Sequence, residues 1–98
     1  MALIVAWKKG PHGSLMVVTD ETILGKKFEE GRRQLDLTQK FYVGDVKSKT
    51  ETKELILAAD QLHLTGKEAV ALGIELDLVE VKKILWVQQV PHAEVVRG

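Results

Sequence analysis

The side chains best suited to acid–base chemistry are one histidine and a short charged segment. His92 follows Pro91, and a proline favours extended backbone in the residue before it. We therefore expect His92 at a strand end, where an imidazole titrates near neutral pH. The charged segment is Glu21–Gly31, and its candidate partners for the imidazole are Lys26, Glu29 and Glu30. An enzyme or ligand-binding site would require one of them within hydrogen-bonding reach of His92.

Known cofactor and metal motifs are missing from the sequence. The histidines His12, His63 and His92 do not have the i, i+4 spacing of a zinc-binding helix, and there is no cysteine. Gly25-Lys26-Lys27 lacks the upstream glycine and the following Ser or Thr of a phosphate-binding P-loop. We therefore predict neither a metal nor a cofactor, and the catalytic residues, if any exist, are not identified.

Basic doublets provide a second interpretation, which we favour. Net charge is zero, but residues 1–49 sum to +3, residues 50–80 to −5 and residues 81–98 to +2. Aromatic side chains stand beside several doublets, as single-strand nucleic-acid binders require. The pattern favours a non-catalytic module that contacts RNA or a ribonucleoprotein, such as the ribosome, through a basic face. The predicted contacts are Lys26, Lys27, Arg32, Arg33, Lys82 and Lys83, with Lys8 and Lys9 as additions. Further candidate functional residues are Gly25, Phe28, Glu30 and His92.

A third alternative is a protein-interaction subunit that uses an acidic helical face or an open sheet edge. The same residues also have a purely structural explanation, in which the paired charges lie on solvated loops and the aromatic side chains belong to the core. Length and composition fit one domain over residues 1–98. No stretch approaches the roughly 20 apolar residues of a membrane span, so we expect no membrane partner.

The elements that must position these residues indicate an α+β fold. Apolar runs Leu3–Trp7 and Leu15–Val18 flank a turn cluster and predict a hairpin. Capping-box spacings at Ser48/Glu51 and Thr65/Glu68 predict helices over Thr50–Leu62 and Gly66–Leu76. We expect a mixed or mainly antiparallel sheet from this hairpin and a C-terminal strand, Val81–Val87, with two antiparallel helices packed on one face. Pro91 should end that strand and leave a short tail.

Glycines divide the charged segment into turns. Glu21–Leu24 can form one helical turn that Gly25 ends, and Gly31 marks a second turn. Within the second predicted helix, Gly73 indicates close approach of another backbone, because glycine there costs about 0.5–1 kcal/mol relative to alanine.

An ordered set of motifs resembles one family over nearly the whole chain. The set comprises Glu21-x-x-Leu24-Gly25-Lys26-x-Phe28-x-Glu30-Gly31, Phe41-Tyr42-x-Gly44, Ala59-Asp60, Gly66-x-Glu68-Ala69-Val70 and Val90-Pro91-His92-Ala93. Together these resemble the archaeal domain-of-unknown-function 424 family of stand-alone proteins. The resemblance implies an archaeal, cytoplasmic protein and brings no activity with it. One departure is Asp77, where relatives tend to have glycine.

Overall fold

The protein, seen in a computed structural model that describes residues 2–11 and 13–97, has the predicted α+β architecture. His12, expected in the first turn, lies outside the described residues. The strands are β1 (Ala2–Gly10), β2 (Gly13–Asp20), β3 (Lys27–Glu30), β4 (Arg33–Asp36), β5 (Asp45–Ser48), β6 (Gln61–Thr65), β7 (Leu85–Val87) and β8 (Val90–Val96). The helices are α1 (Lys49–Ile56) and α2 (Lys67–Glu75). Short 3-10 turns cover Glu21–Ile23, Lys40–Tyr42 and Val81–Lys83.

Six strands form one sheet in the order β5-β1-β2-β6-β8-β7, and β3 with β4 forms a separate hairpin. The pairing is antiparallel except between β2 and β6, where Val17 lies opposite His63. The N-terminal hairpin is confirmed, as is the mainly antiparallel character of the sheet. Strands β5 and β7 are the two edges of this sheet, so residues beside β7 lie at the opposite edge from β5.

Both faces of the sheet are covered. Residues that alternate along the strands, such as Leu3, Met16 and Leu64, share one core with Ile56 of α1 and Val70 of α2. The opposite face includes Val17, which is fully buried, and the Lys40–Tyr42 turn contacts β1 and β2. The segment between β2 and β5 therefore covers the face that the helices leave free.

Helix α1 begins as predicted and ends early. Ser48 and Glu51 form the expected capping box, with Glu51 N donating to Ser48 Oγ at 3.1 Å and Ser48 N donating to Glu51 Oε1 at 3.1 Å. The predicted end at Leu62 is wrong, because residues 61–65 form β6. Leu62 and Leu64 alternate with His63 and are fully buried, so burial between β2 and β8 overrides the helical pattern. His63, which falls between the two predicted helices, is consequently a residue of β6.

Helix α2 starts without the predicted Thr65/Glu68 capping box. Thr65 belongs to β6, and its hydroxyl hydrogen-bonds the ring of His92. The N-cap is Gly66, and the capping acceptor is the carboxylate of Asp20, at the end of β2. A side chain 48 residues away in sequence thus replaces the local cap.

The C-terminal strands also differ from expectation. Val81–Lys83 is a 3-10 turn, so the predicted Val81–Val87 strand is reduced to β7. The residues expected to be a tail form β8, which lies between β6 and β7. Strand β8 tolerates Pro91, which has no N–H to donate, because pairing with β6 begins only at the next residue, His92. The carbonyl of Pro91 accepts a hydrogen bond from Gly66 N at 2.9 Å.

The backbone expected close to Gly73 is not what approaches it, because its near neighbours are side chains. A Cβ built on Gly73 would lie 2.6 Å from Leu64 Cδ1 and 2.7 Å from Val79 Cγ2. In the part of the chain that the structure describes, neither helix has the length and apolar composition that a membrane span requires.

Candidate functional site

At one edge of the sheet, Arg33 contacts the strand that carries an exposed tryptophan. The β3–β4 hairpin packs against β7, and Arg33 Nη1 donates to the main-chain oxygen of Trp86 at 3.4 Å. The Trp86 side chain is well exposed, at 46% for the residue. Lys83 precedes Trp86 by three residues, so their Cα atoms are at most about 11 Å apart. We call the group formed by Arg32, Arg33, Lys82, Lys83 and Trp86 the basic edge.

Carboxylates neutralise some of the predicted cations. Lys27 Nζ lies 3.2 Å from Glu29 Oε1, and Lys83 Nζ lies 3.6 Å from Glu80 Oε1, with all four side chains mostly exposed. Exposed pairs of this kind contribute at most about 1 kcal/mol, so a polyanion can displace either carboxylate. Among the residues that the structure describes, Arg32, Arg33 and Lys82 have no ion-pair partner.

The helical surface is less uniformly acidic than the sequence segments suggest. Glu75 at the end of α2 pairs with two lysines of α1, Lys53 and Lys49, the latter at 3.6 Å. Lys8 also lies away from the basic edge, with its Nζ 5.6 Å from the centre of the Phe41 ring. Positive and negative side chains are therefore interleaved over much of the surface, and the basic edge is a local feature.

A cavity of about 380 Å³ lies beside the basic edge. The charged segment that the sequence singled out forms one wall, which includes Ile23, Lys26 and Phe28. The start of α2 and the β7–β8 turn form the rest, so the segment and Val90-Pro91 meet in one place. Gly25 makes this geometry accessible, because its φ of +87° turns the chain before β3.

One residue that lines this cavity carries a buried carboxylate. Asp20 is 7% exposed, and its oxygens accept from Glu68 N at 3.0 Å and Ala69 N at 2.8 Å. Burial raises the pKa of Asp20 above its usual value, and the nearby Glu68 charge raises it further, while the bonds from the helix amides oppose both effects. Gly66 is required here, because a Cβ on it would lie 2.6 Å from either Asp20 oxygen.

The β7–β8 turn at the cavity mouth is strained. Gln88 and Gln89 have φ values of +47° and +66°, in a two-residue hairpin loop where asparagine and glycine are usual. Gln88 is fastened to β3, since its N donates to Glu30 Oε1 at 2.7 Å and its Oε1 accepts from Glu29 N at 3.3 Å. The candidate residue Glu30 therefore holds the turn in place. Strained non-glycine residues tend to cluster at functional sites.

His92 is assembled with different partners from those that the sequence suggested. Its Nδ1 lies 2.8 Å from Thr65 Oγ1, and its Nε2 lies 3.7 Å from Glu94 Oε2. Glu94 also approaches His63 Nε2, at 3.3 Å. Burial lowers the pKa of His92, as does the neighbouring His63, whereas Glu94 acts in the opposite direction. Glu29 and Glu30 contact Lys27 and the Gln88 amide instead, so among the described residues His92 has no bond to either of these two predicted partners.

The histidine cluster lies on the sheet face opposite the helices, partly under aromatic side chains. Phe41 packs on His63 with ring centres 5.5 Å apart. On the neighbouring strand β2, the hydroxyl of Thr19 is buried and has no hydrogen-bond partner among the residues that the structure describes. Burial raises the pKa of Tyr42, and the charges of Asp36 and Glu94 raise it further. Across residues 2–11 and 13–97, no group of three or more histidine or acidic side chains is arranged to hold a metal ion.

Sequence reasoning missed Asp20, Gln88 and Gln89 as residues of the cavity. Asp20 carries no local signal, because its role as a helix cap depends on the β2–β6 pairing. The two glutamines lack the Asn-Gly or Asp-Gly signature of a tight hairpin. A signal was nevertheless present, since two polar residues separate the apolar run Leu85–Val87 from Val90–Val96, in which apolar residues alternate with His92 and Glu94.

Comparison with known proteins gives a family and a fold. A family model described as "Protein of unknown function (DUF424)" matches residues 8–97. A crystal structure described as that of an uncharacterized conserved protein from Methanopyrus kandleri is similar, with a TM-score of 0.78 and 16% sequence identity, covering 100% of this chain and 95% of that one. At that identity the likeness concerns the fold alone. Among curated proteins, none matches the sequence.

Proposed function

Because this chain belongs to the DUF424 family, whose description assigns no activity, we propose a function from the geometry: it is a non-catalytic module that binds single-stranded RNA at the basic edge. The observation that carries this proposal is the contact between Arg33 and the main chain of Trp86, which fastens a guanidinium to a residue whose side chain is exposed. A cytoplasmic location and a ribonucleoprotein as the natural partner are part of the same proposal.

Physical chemistry supports an RNA strand with unpaired bases as the ligand. An exposed aromatic ring can stack on any base, which contributes about 1–3 kcal/mol per base. Cations beside the ring then contact the phosphates on either side of the stacked base. Arg32 and Arg33 come from the hairpin, whereas Lys82 and Lys83 come from the turn before β7. An aromatic platform with cations from two segments matches a flexible strand better than a regular duplex.

The test is the salt dependence of binding, measured by the fluorescence anisotropy of a labelled single-stranded RNA. For single strands, the logarithm of affinity falls with the logarithm of salt with a slope of about −0.7 per neutralised phosphate. Four contacts at the basic edge therefore predict a slope near −2.8. Substituting Arg32→Ala and Arg33→Ala together removes two contacts and should bring the slope to about −1.4.

A matched control removes the same charge from the other edge of the sheet. Lys47 lies in β5 and Lys49 starts α1 directly after it, and Lys49 has only an exposed pair with Glu75. The double variant Lys47→Ala/Lys49→Ala should leave the slope unchanged. An equal loss in both variants would show that binding follows overall charge and not the basic edge. Absence of binding at low salt would refute the proposed function.

A pull-down from native extract separates RNA from the protein-interaction alternative. Material retained by the wild-type chain should be released by nuclease if RNA makes the contact. Retention of one stoichiometric protein after nuclease treatment would instead favour protein binding at the other sheet edge, β5, because the hairpin packs against β7.

A further inference from the structure

We propose that the cavity beside the basic edge receives one unstacked base of the bound RNA and prefers guanine. This inference rests on the proposed function, because the base must belong to a strand held by Trp86 and its neighbouring cations. Proteins that read RNA sequence splay single-stranded bases into pockets, stack them on aromatic side chains and hydrogen-bond their Watson–Crick edges.

The size and walls of the cavity suit a planar heterocycle. Its volume of about 380 Å³ lies within the range of about 300–1,000 Å³ that ligand pockets occupy. Phe28, Ile23, Val90 and Pro91 provide the apolar part of its lining. Phe28, Ile23 and Val90 also pack in the small core under the hairpin, which holds that lining in position.

The polar groups of the cavity select a ligand with N–H donors rather than an anion. The amides that begin α2, which would otherwise attract a phosphate, already donate to Asp20. A carboxylate has about four acceptor positions, so Asp20 retains acceptor capacity for a ligand beyond its bonds to the helix amides. Glu68 adds a second carboxylate to the wall. Lys26 and Lys67 line the same cavity, so two lysines balance the two carboxylates and the lining has no net positive charge that would draw in a phosphate.

Guanine matches this arrangement better than the other bases. Its Watson–Crick edge presents an N1–H and an N2 amino group side by side, which is the donor pair that one carboxylate accepts. Adenine, cytosine and uracil each present a single donor group to such an acceptor. Gln89, whose side chain has no hydrogen-bond partner among the described contacts, lines the same cavity and can reach a base edge with either end of its amide.

The cavity and the basic edge are close enough for one short strand. Trp86 and Gln88 are two residues apart, so their Cα atoms are separated by at most about 7 Å. The turn that carries Gln88 is bonded to β3, and β3 pairs with the β4 strand that carries Arg33. Movement of the hairpin would therefore displace the cavity wall and the cations together.

The experiment compares two labelled nonamers, one of uridine only and one with a single central guanosine, against the wild-type chain. A bidentate base contact is worth about 1–3 kcal/mol of discrimination, so the guanosine strand should bind about tenfold more tightly. Asp20→Asn should bring this ratio close to 1. Gln89→Gly, which relieves the positive φ and so keeps the fold, should also lower the ratio. The Lys47→Ala/Lys49→Ala control should keep the wild-type ratio.

Amide chemical shifts show which part of the inference fails. The guanosine strand should shift the backbone amides of Glu68 and Ala69, which bond Asp20, whereas the uridine strand should shift mainly the amides of the hairpin and β7. Equal affinity of the two strands, with shifts confined to the hairpin and β7, would overturn guanine recognition and leave the proposed function intact. If neither strand binds, the proposed function fails and this inference fails with it.

Discussion

Substituting Gly66→Ala should destabilise the protein through a specific collision with Asp20. Gly66 has φ +108° and ψ 159°, a region that residues other than glycine occupy at a cost of about 1–3 kcal/mol. The new Cβ would also lie 2.6 Å from Asp20 Oδ1 and Oδ2. The carboxylate must then move, and its two bonds to the α2 amides are lost.

The expected loss can be built from these two contributions. Removing an N-terminal cap costs about 0.5–2 kcal/mol, which adds to the backbone strain. We therefore expect Gly66→Ala to lower the free energy of unfolding by about 1.5–5 kcal/mol. Gly25→Ala provides the matched control, because Gly25 also has a positive φ, of +87°, but a Cβ there meets nothing within 4 Å. Its free energy of unfolding should fall only by the backbone-strain contribution.

A double-mutant cycle measured by urea unfolding isolates the contribution of the Asp20 cap, which Gly66→Ala and Asp20→Ala both remove. Asp20→Ala removes the cap directly, so it should cost about 0.5–2 kcal/mol less in the Gly66→Ala background than in the wild type. In the Gly25→Ala background its cost should stay the same. Additive effects of Gly66→Ala and Asp20→Ala would contradict the reasoning, as would equal losses for the two glycine substitutions.

Other substitutions give sharper local tests. Asp77→Gly should raise the free energy of unfolding by about 0.5–1 kcal/mol, because Asp77 ends α2 at φ +59°, where glycine is favoured; urea unfolding that shows a loss would contradict this. Gly44→Ala should prevent stable folding, since its Cβ would lie 2.6 Å from the Val5 backbone carbon, which cannot yield; native-like circular dichroism would refute it. Because the pKa of His92 is lowered in the fold, the unfolded chain binds more protons below about pH 6.5. Stability should therefore decline on acidification through that range, and His92→Gln should weaken the decline in pH-dependent thermal melts.

Local signals predicted the elements whose partners are near in sequence. The Ser48/Glu51 capping box fixed the start of α1, and the apolar runs around the first turn fixed the β1–β2 hairpin. The position of Asp77 is instructive, because the departure from glycine noted in the sequence coincides with a left-handed backbone. In each of these cases the interaction spans a few residues, so the sequence contains the whole of it.

Elements selected by tertiary burial were not predictable in the same way. Leu62 continues the helical stripe that begins with Leu55 and Ile56, and the same residue also fits a strand that starts one residue earlier, at Gln61. Parallel pairing with β2 decides between the two, and that pairing buries Leu62 completely. The expected helix end was wrong because propensity is weaker than burial in a central strand.

The candidate site was only partly visible for the same reason. The sequence drew attention to Lys26, Phe28 and Glu30, which the structure places in the cavity wall or at its turn. It could not place Arg33 beside Trp86, since that contact spans 53 residues. It also paired His92 with the wrong carboxylates, because Glu94 faces His92 from the same strand two residues away.

The fluorescence of Trp86 tests RNA binding at the basic edge most directly. The chain has two tryptophans, so Trp7→Phe leaves Trp86 as the only indole. Titration of this variant with single-stranded RNA at low salt should quench its emission as bases stack on the ring, and Arg32→Ala/Arg33→Ala should shift the midpoint to higher RNA concentration. Binding detected by anisotropy with no change in Trp86 emission would contradict the placement of RNA at this edge.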